Sequence, residues 1–280
     1  MNRREWLAMS LVLAATRAFA ATAAPLRVGM TPAFLHDQYG LLEEWRRYLE
    51  GKVGRPIEFV QRDSYRETMD LLRQERLDFA WICDYPYVHL RGQVRLLAVP
   101  LNQQKPLYRS YFIVPAADEK THSLLQLKGK VFAYADPYSN TGYLVPRYQL
   151  KLAGKDPERF FARTFFTWSH RKVIDAVAAG VAQGGAVDSF VFDTLAKLKP
   201  DVVGQTRIFG QSPEFGFPPF VARKSVDSAT YGAMQSVLLE MESDPAGKTL
   251  LRRLNLDGFV VGNPKDYEAV AEMMKAFGEY

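Results

Sequence analysis

From residue 26 onward, short runs rich in β-branched and aromatic residues alternate with longer segments whose apolar residues return every three or four positions. The short runs predict strands at 26–30, 56–60, 78–82, 96–100, 108–115, 131–135, 164–168, 185–187 and 202–209. The longer segments predict helices at 39–53, 143–152, 173–179, 190–198, 226–241, 246–254 and 264–277, with a further one beginning after Ser64. In 39–53, Leu41, Leu42, Trp45, Tyr48, Leu49 and Val53 share one face, Glu43, Glu44, Arg46 and Arg47 take the other, and Gly54 and Pro56 end the helix. Ser64-Tyr65-Arg66-Glu67 has the form of a capping box, in which serine and glutamate side chains each satisfy an orphan backbone donor. The breaker-rich stretch 212–219 reads as a connection. Strands alternating with helices predict an α/β fold, and no internal repeat or low-complexity tract is present.

Length adds a second expectation. A chain of 280 residues is long for one core, since cores stop growing near ~250 to 300 residues and chains then divide; two α/β lobes are expected. Hydrophobic residues make up 48% and charged residues 24%, which excludes a disordered chain and a polytopic membrane protein. The first twenty residues stand apart: basic Arg3-Arg4, an apolar run from Trp6 to Ala15 broken only by Ser10, then Ala18-Phe19-Ala20. That is the form of a secretory signal peptide over 1–20, with cleavage as late as 24, and the run is too short to span a bilayer. Arg3-Arg4 is compatible with either Sec or twin-arginine export. Removing the segment leaves +3 of the formal charge of +5, so no nucleic-acid partner is implied. Cys83 is the single cysteine, which excludes an intramolecular disulfide and a lipid-modified cysteine at the signal. A freely diffusing periplasmic monomer is expected.

Candidate chemistry narrows the picture. H-E-x-x-H, G-x-S-x-G, C-x-x-C and G-x-G-x-x-G are all absent, and Asp244-Pro245-Ala246-Gly247-Lys248-Thr249 lacks the first glycine of a phosphate loop, Glu242 standing in its place. His36, His89, His122 and His170 have no metal-ligand spacing. Neither an enzyme nor a metal or other cofactor is expected. The informative stretch is Ala135-Asp136-Pro137-Tyr138-Ser139-Asn140-Thr141-Gly142-Tyr143-Leu144-Val145-Pro146, where a β run ends and small hydroxyl and amide residues introduce a helix. Unpaired N–H groups of a helix's first turn, together with the Ser139 and Thr141 hydroxyls, suit an oxyanion, and Gly142 lets the backbone approach closely. A plain N-cap uses the same residues.

The pattern D-P-x-S-x-[ST]-G-x-x-x-P resembles the signature of periplasmic phosphate-, phosphite- and phosphonate-binding proteins of ABC transporters. Arg27-Val28-Gly29 with Pro32, Asp78-Phe79-Ala80-Trp81, Ser169-His170 and Ala186-Val187-Asp188-Ser189 agree in order and spacing. The resemblance implies a type II periplasmic-binding fold, two α/β lobes joined by two crossing strands around a ligand cleft. Lobe one would comprise 25–111 and 218–280, lobe two 112–217 with the hinge strands. It also implies that Ser139, Asn140, Thr141 and Gly142 hold an oxyanion, that His170 donates to or accepts from another ligand oxygen, and that Asp188 and Ser189 face the same cleft. Asn140 departs from the commoner hydroxyl residue, its amide remaining able to donate. Asp188 accepts from a protonated ligand oxygen, pairs with a ligand amine, or caps the following helix.

Ile82-Cys83-Asp84-Tyr85-Pro86-Tyr87 departs most from the family pattern. Beside an anion, Asp84 must be protonated, cap the helix near Pro86, or face a positive group. Tyr85 and Tyr87 either wall the cleft or pack between strand and helix. The implied function is capture of a small phosphorus oxyanion for uptake through an inner-membrane ABC permease. A second class is a periplasmic sensor signalling to a histidine kinase, with an arsenite-like ligand held by Cys83.

Overall fold

The indole of Trp45 lies at the centre of the first core, fully buried and meeting the rings of Phe59, Trp81 and Phe220 edge-on at 5.7, 6.1 and 5.7 Å. These aromatics come from a helix and three strands, so the amphipathic stripe read from the sequence is what joins the helix to the sheet. The computed structural model describes residues 24–31 and 39–279. The 1–20 segment, Pro32 and His36 lie outside the described residues.

In chain order the elements begin with β1 (Leu26–Met30), α1 (Tyr39–Val53), β2 (Ile57–Gln61), α2 (Tyr65–Arg73), β3 (Phe79–Trp81), α3 (Asp84–His89), β4 (Val94–Leu101), β5 (Leu107–Tyr108), β6 (Ser110–Pro115) and β7 (Val131–Tyr134). A π-helical turn, Asn140–Leu144, leads into α4 (Val145–Leu152) and α5 (Pro157–Phe160). Next come β8 (Arg163–Phe166), α6 (His170–Ala178), β9 (Gly184–Asp188), α7 (Ser189–Leu198), α8 (Pro200–Val203), β10 (Thr206–Gln211), β11 (Phe215–Gly216) and β12 (Phe220–Arg223). The chain ends with α9 (Ser228–Glu240), α10 (Pro245–Arg253), β13 (Gly258–Val260) and α11 (Glu268–Lys275).

Two sheets form the two lobes. The first has the order β13-β4-β12-β3-β1-β2, parallel across β3-β1-β2, with β12 antiparallel to β3 and β4. The second has the order β10-β6-β9-β7-β8, parallel across β9-β7-β8, with β6 antiparallel to β9 and β10. Between them β5 and β11 pair antiparallel, Tyr108 opposite Phe215 and Leu107 opposite Gly216, where the chain crosses out of the first sheet and returns. This is the type II periplasmic-binding architecture. In both sheets the carboxyl ends of the parallel strands open toward the space between the lobes, where ligands bind in open α/β sheets.

Several boundaries differ from the pattern. The expected strand 202–209 starts later, because Pro200 seeds the short α8 and the strand begins at Thr206. The expected strand 108–115 is two strands, one in the crossing and one in the second sheet. The connection 212–219 contains β11, and 264–277 divides into a 3-10 turn, Pro264–Tyr267, and α11. The walls of the short strand β13 and of α3 carried no periodic signal, being three and six residues long.

Candidate functional site

Where β7 ends, the chain turns sharply at Asp136, whose carboxylate accepts from Tyr138 N at 2.7 Å. Ser139 then caps the π-helical turn, its Oγ accepting from Gly142 N at 3.0 Å. A Cβ on Gly142 would lie 2.5 Å from Ala135 Cβ, 2.8 Å from His170 Cε1 and 3.0 Å from Ser139 Oγ. Glycine is therefore required for close approach rather than for an unusual backbone angle. Ser139, Asn140 and Thr141 are all fully buried, and Ser110 Oγ at the start of β6 pins the turn by donating to Thr141 O at 2.6 Å.

His170 opens α6 and is 1% exposed. Its Nδ1 accepts from Asp188 N at 3.1 Å, which places the ring proton on Nε2, 3.3 Å from Ser139 Oγ. Burial holds the imidazole down to about 3, so it is a neutral donor at any physiological pH. Ser139 Oγ thus accepts twice, from Gly142 N and His170 Nε2. A hydroxyl has two lone pairs and one hydrogen, so what Ser139 has left is its own O–H. Thr141 Oγ1, on the same turn, is buried without a hydrogen-bond partner among the described residues.

From the first lobe, Asp84 starts α3 and is fully buried. Its Oδ1 accepts from Tyr108 Oη at 2.7 Å, Tyr85 N at 2.9 Å and Cys83 Sγ at 3.0 Å, and its Oδ2 accepts from Asn140 Nδ2 at 2.7 Å. Asn140 Nδ2 also lies 3.4 Å from Tyr108 Oη. Burial pushes Asp84 up to about 7 against these donors. Asp188 caps α7 through Phe190 N at 2.7 Å and Val191 N at 3.2 Å, yet burial pushes it up to about 8. A second link crosses the cleft where Asp136 Oδ2 accepts from Tyr65 N, in the first turn of α2, at 3.1 Å. The lobes are closed on one another.

The structure therefore gathers Ser139, Asn140, Thr141, Gly142, His170, Asp188 and Asp84 into one buried cluster. It turns three expected contacts elsewhere. Both ring nitrogens of His170 have protein partners, so the imidazole reaches the cleft through Ser139. The Asn140 amide nitrogen is directed at Asp84 and Tyr108. Ser189 exchanges hydrogen bonds with Arg109, its Oγ accepting from Arg109 N at 3.0 Å. Tyr85 sits at the cleft mouth, bonded through its hydroxyl to Glu279 and near Tyr138 with ring centroids 6.1 Å apart. Tyr87 packs edge-on against Tyr267 at 4.7 Å, within lobe one. Cys83 is buried, and its thiol donates to Asp84 while burial pushes it well above its usual value.

Tyr65, Tyr108, Ser110 and Asp136 are members of the cluster that no sequence argument selected as site residues. Asp136 opens the recognised pattern, and Tyr65 follows the capping serine, so both had a local signal; Tyr108 and Ser110 had none. Among the described residues no group of acidic, cysteine and histidine side chains is arranged to hold a metal ion, and no helix is long and apolar enough to cross a membrane.

The family model for ABC-transporter phosphonate periplasmic substrate-binding proteins matches residues 28–267. A probable phosphite-binding protein of an ABC transporter from Prochlorococcus marinus strain MIT 9301 is 23% identical over 230 residues, 78% of this chain and 77% of its own. The phosphonates-binding periplasmic protein of Escherichia coli K12 is 25% identical over 229 residues, 78% of this chain and 67% of its own. The solved structure of the Prochlorococcus marinus protein in complex with methylphosphonate superposes with a TM-score of 0.81 at 21% identity, over 91% of this chain and 98% of the other.

Proposed function

The chain belongs to the phosphonate periplasmic substrate-binding family of ABC transporters, and on that premise we propose that it captures a small phosphorus oxyanion between its lobes and presents the closed form to a membrane permease. The observation that carries this reading is the hydroxyl pair. Ser139 Oγ is saturated as an acceptor by Gly142 N and His170 Nε2, and Thr141 Oγ1 is buried without a partner. Two O–H donors two residues apart on one buried turn are left to give, and an oxyanion supplies acceptors for both. Helix starts bear on the same cluster, Tyr65 N of α2 donating to Asp136, His170 opening α6 and Asp188 capping α7, and they add the positive ends of helix dipoles.

In this reading Ser139 and Thr141 touch ligand, Gly142 gives the close approach, and His170 and Asp188 position Ser139. The lobes part at the β5–β11 crossing, nearer residue 109 than the expected 111, because Ser110 and Tyr111 pair with Asp188 and Val187 in the second sheet; the protein acts as a monomer without chemistry on its ligand, and cleavage of the 1–20 segment releases it into the periplasm. A thermal-shift series with phosphate, phosphite, methylphosphonate, aminoethylphosphonate, sulfate and arsenite tests it, since a ligand that binds only the folded state raises the melting temperature by mass action. At least one phosphorus oxyanion is expected to raise it. No rise with any of them, at millimolar concentration, would overturn the reading.

A further inference from the structure

Asn140 lies between the two hydroxyl donors, yet its amide faces the other way. Its Nδ2 is committed to Asp84 Oδ2 at 2.7 Å and to Tyr108 Oη at 3.4 Å. Asp84 is itself held by three further donors, from Tyr108, Tyr85 N and Cys83. The orientation of the carboxamide is therefore set by its partners: nitrogen toward the carboxylate, oxygen away from it. Asn140 Oδ1 is fully buried and has no hydrogen-bond partner among the described residues. A buried carbonyl oxygen without a donor is costly, and it is an acceptor beside two donors.

We propose that Asn140 Oδ1 accepts a hydrogen bond from a proton carried by the ligand, so that the site selects oxyanions in a protonated, singly charged form. This rests on the oxyanion reading above and refines it. A phosphonate or phosphite monoanion offers acceptor oxygens to Ser139 and Thr141 and one P–O–H to Asn140. A sulfonate of the same shape and charge offers acceptors alone, setting a lone pair against the Asn140 lone pair. Asp84 and Tyr108 are positioning residues in this arrangement, because they act by fixing the amide. The surroundings agree: the titratable groups facing Asp84 are Cys83, Tyr65, Tyr108, Tyr267 and Asp188, none of them cationic, and His170 is neutral. Nothing in that list offsets a second negative charge on the ligand.

Methylphosphonate and methanesulfonate, which differ in the proton, are the probes, titrated calorimetrically into the purified protein from pH 5.5 to 8.5. Near pH 6 methanesulfonate is expected to bind at least ~100-fold more weakly than methylphosphonate, since a site built to pair with an O–H rejects an analogue without one by up to ~10⁴-fold or more. Methylphosphonate affinity is expected to fall about tenfold per pH unit above the ligand's own second ionisation, and phosphite to follow its own, different ionisation. Asn140→Ser, whose hydroxyl can turn and donate, is expected to narrow the gap between the two probes to under ~10-fold. Asp84→Asn keeps an acceptor for the amide while removing the titrating carboxyl, and is expected to retain the pH limb. Binding of both probes within a few-fold by the wild type overturns the proposal, and loss of the limb in Asp84→Asn does so too, by moving the proton onto Asp84. Either result leaves the oxyanion reading intact; failure of every phosphorus oxyanion to bind removes both.

Discussion

Ser139 concentrates the chemistry of the cleft in one oxygen. It caps the turn, receives the His170 proton donor and is left with one hydrogen to give. Thr141 Oγ1 adds a second free hydroxyl, so Ser139→Ala with Thr141→Ala is expected to weaken oxyanion binding by at least ~10-fold, taking ~0.5 to 1.5 kcal/mol for each hydrogen bond. Calorimetry on a double variant with wild-type circular dichroism checks this; unchanged affinity would move the site elsewhere. Cys83 makes the opposite case. Its thiol donates to Asp84, a role that a serine hydroxyl can take over, so Cys83→Ser is expected to keep oxyanion affinity within a few-fold. Tight arsenite binding by the wild type, lost in this variant, together with indifference to phosphite and phosphonates, would install the sensor in place of the transporter component.

At the scale of elements, the cleft is built from strand exits and helix starts, and each junction is closed by a carboxylate or a hydroxyl. The β7 exit leaves no room for a methyl group at Gly142, so Gly142→Ala is expected to lose ~1 to 3 kcal/mol, as overpacked sites do, and to weaken ligand binding; a urea titration and a calorimetric one measure the two effects. The β9 exit is capped by Asp188 and the α3 start by Asp84, each pushed upward by burial, to about 8 and about 7, from an ordinary 3.8. The folded state therefore holds these protons more firmly than the unfolded chain does. The stability they contribute is fully present below about pH 3.8 and is lost as pH rises through about 7 and about 8. Asp188→Asn, which keeps a good cap, is expected to flatten the decline of melting temperature between pH 5 and 8 relative to wild type. A parallel decline in both proteins would count against this assignment.

Across the whole molecule, two buried hydrogen bonds join lobe to lobe, Asn140 to Asp84 and Tyr65 N to Asp136. The C-terminal residues add a strap: Glu279 meets Tyr85 and lies 3.9 Å from Arg147, whose guanidinium sits over the rings of Tyr143 and Phe277 at 4.5 and 4.4 Å. Nearer the surface Arg66 donates to Tyr138 at 2.9 Å, Asn255 Nδ2 to Thr194 Oγ1 at 2.8 Å and Lys197 to Asn255 Oδ1 at 2.5 Å; the chain itself passes between the lobes through the narrow β5–β11 crossing, which can rotate without disturbing either core. Ligand is expected to shift the population toward the closed form, seen in small-angle scattering as a smaller radius of gyration at saturation. An identical radius with and without a ligand of proven affinity would remove closure from the mechanism.

The alternation of strands with amphipathic helices, the capping box at Ser64 and the Ser139–Gly142 turn were determined locally. Each depends on residues within one helical turn or one pleat of each other, and the folded chain keeps all of them: Ser64 Oγ accepts from Glu67 N at 3.3 Å as its spacing predicts. The partners of the polar residues were decided elsewhere. In a sequence, Asp84 at a helix start looks the same whether it caps, repels an anion or faces an amine, and Asn140 the same whether its nitrogen or its oxygen meets the ligand. Those choices follow from residues 24 to 71 positions away, Tyr108, Asn140 and Tyr65 with Asp136, brought together when the two crossing strands fold one lobe over the other. Hydrogen-bond direction between such distant groups is a property of the closed cleft, because burial from both sides is what leaves each donor and acceptor with a single remaining partner.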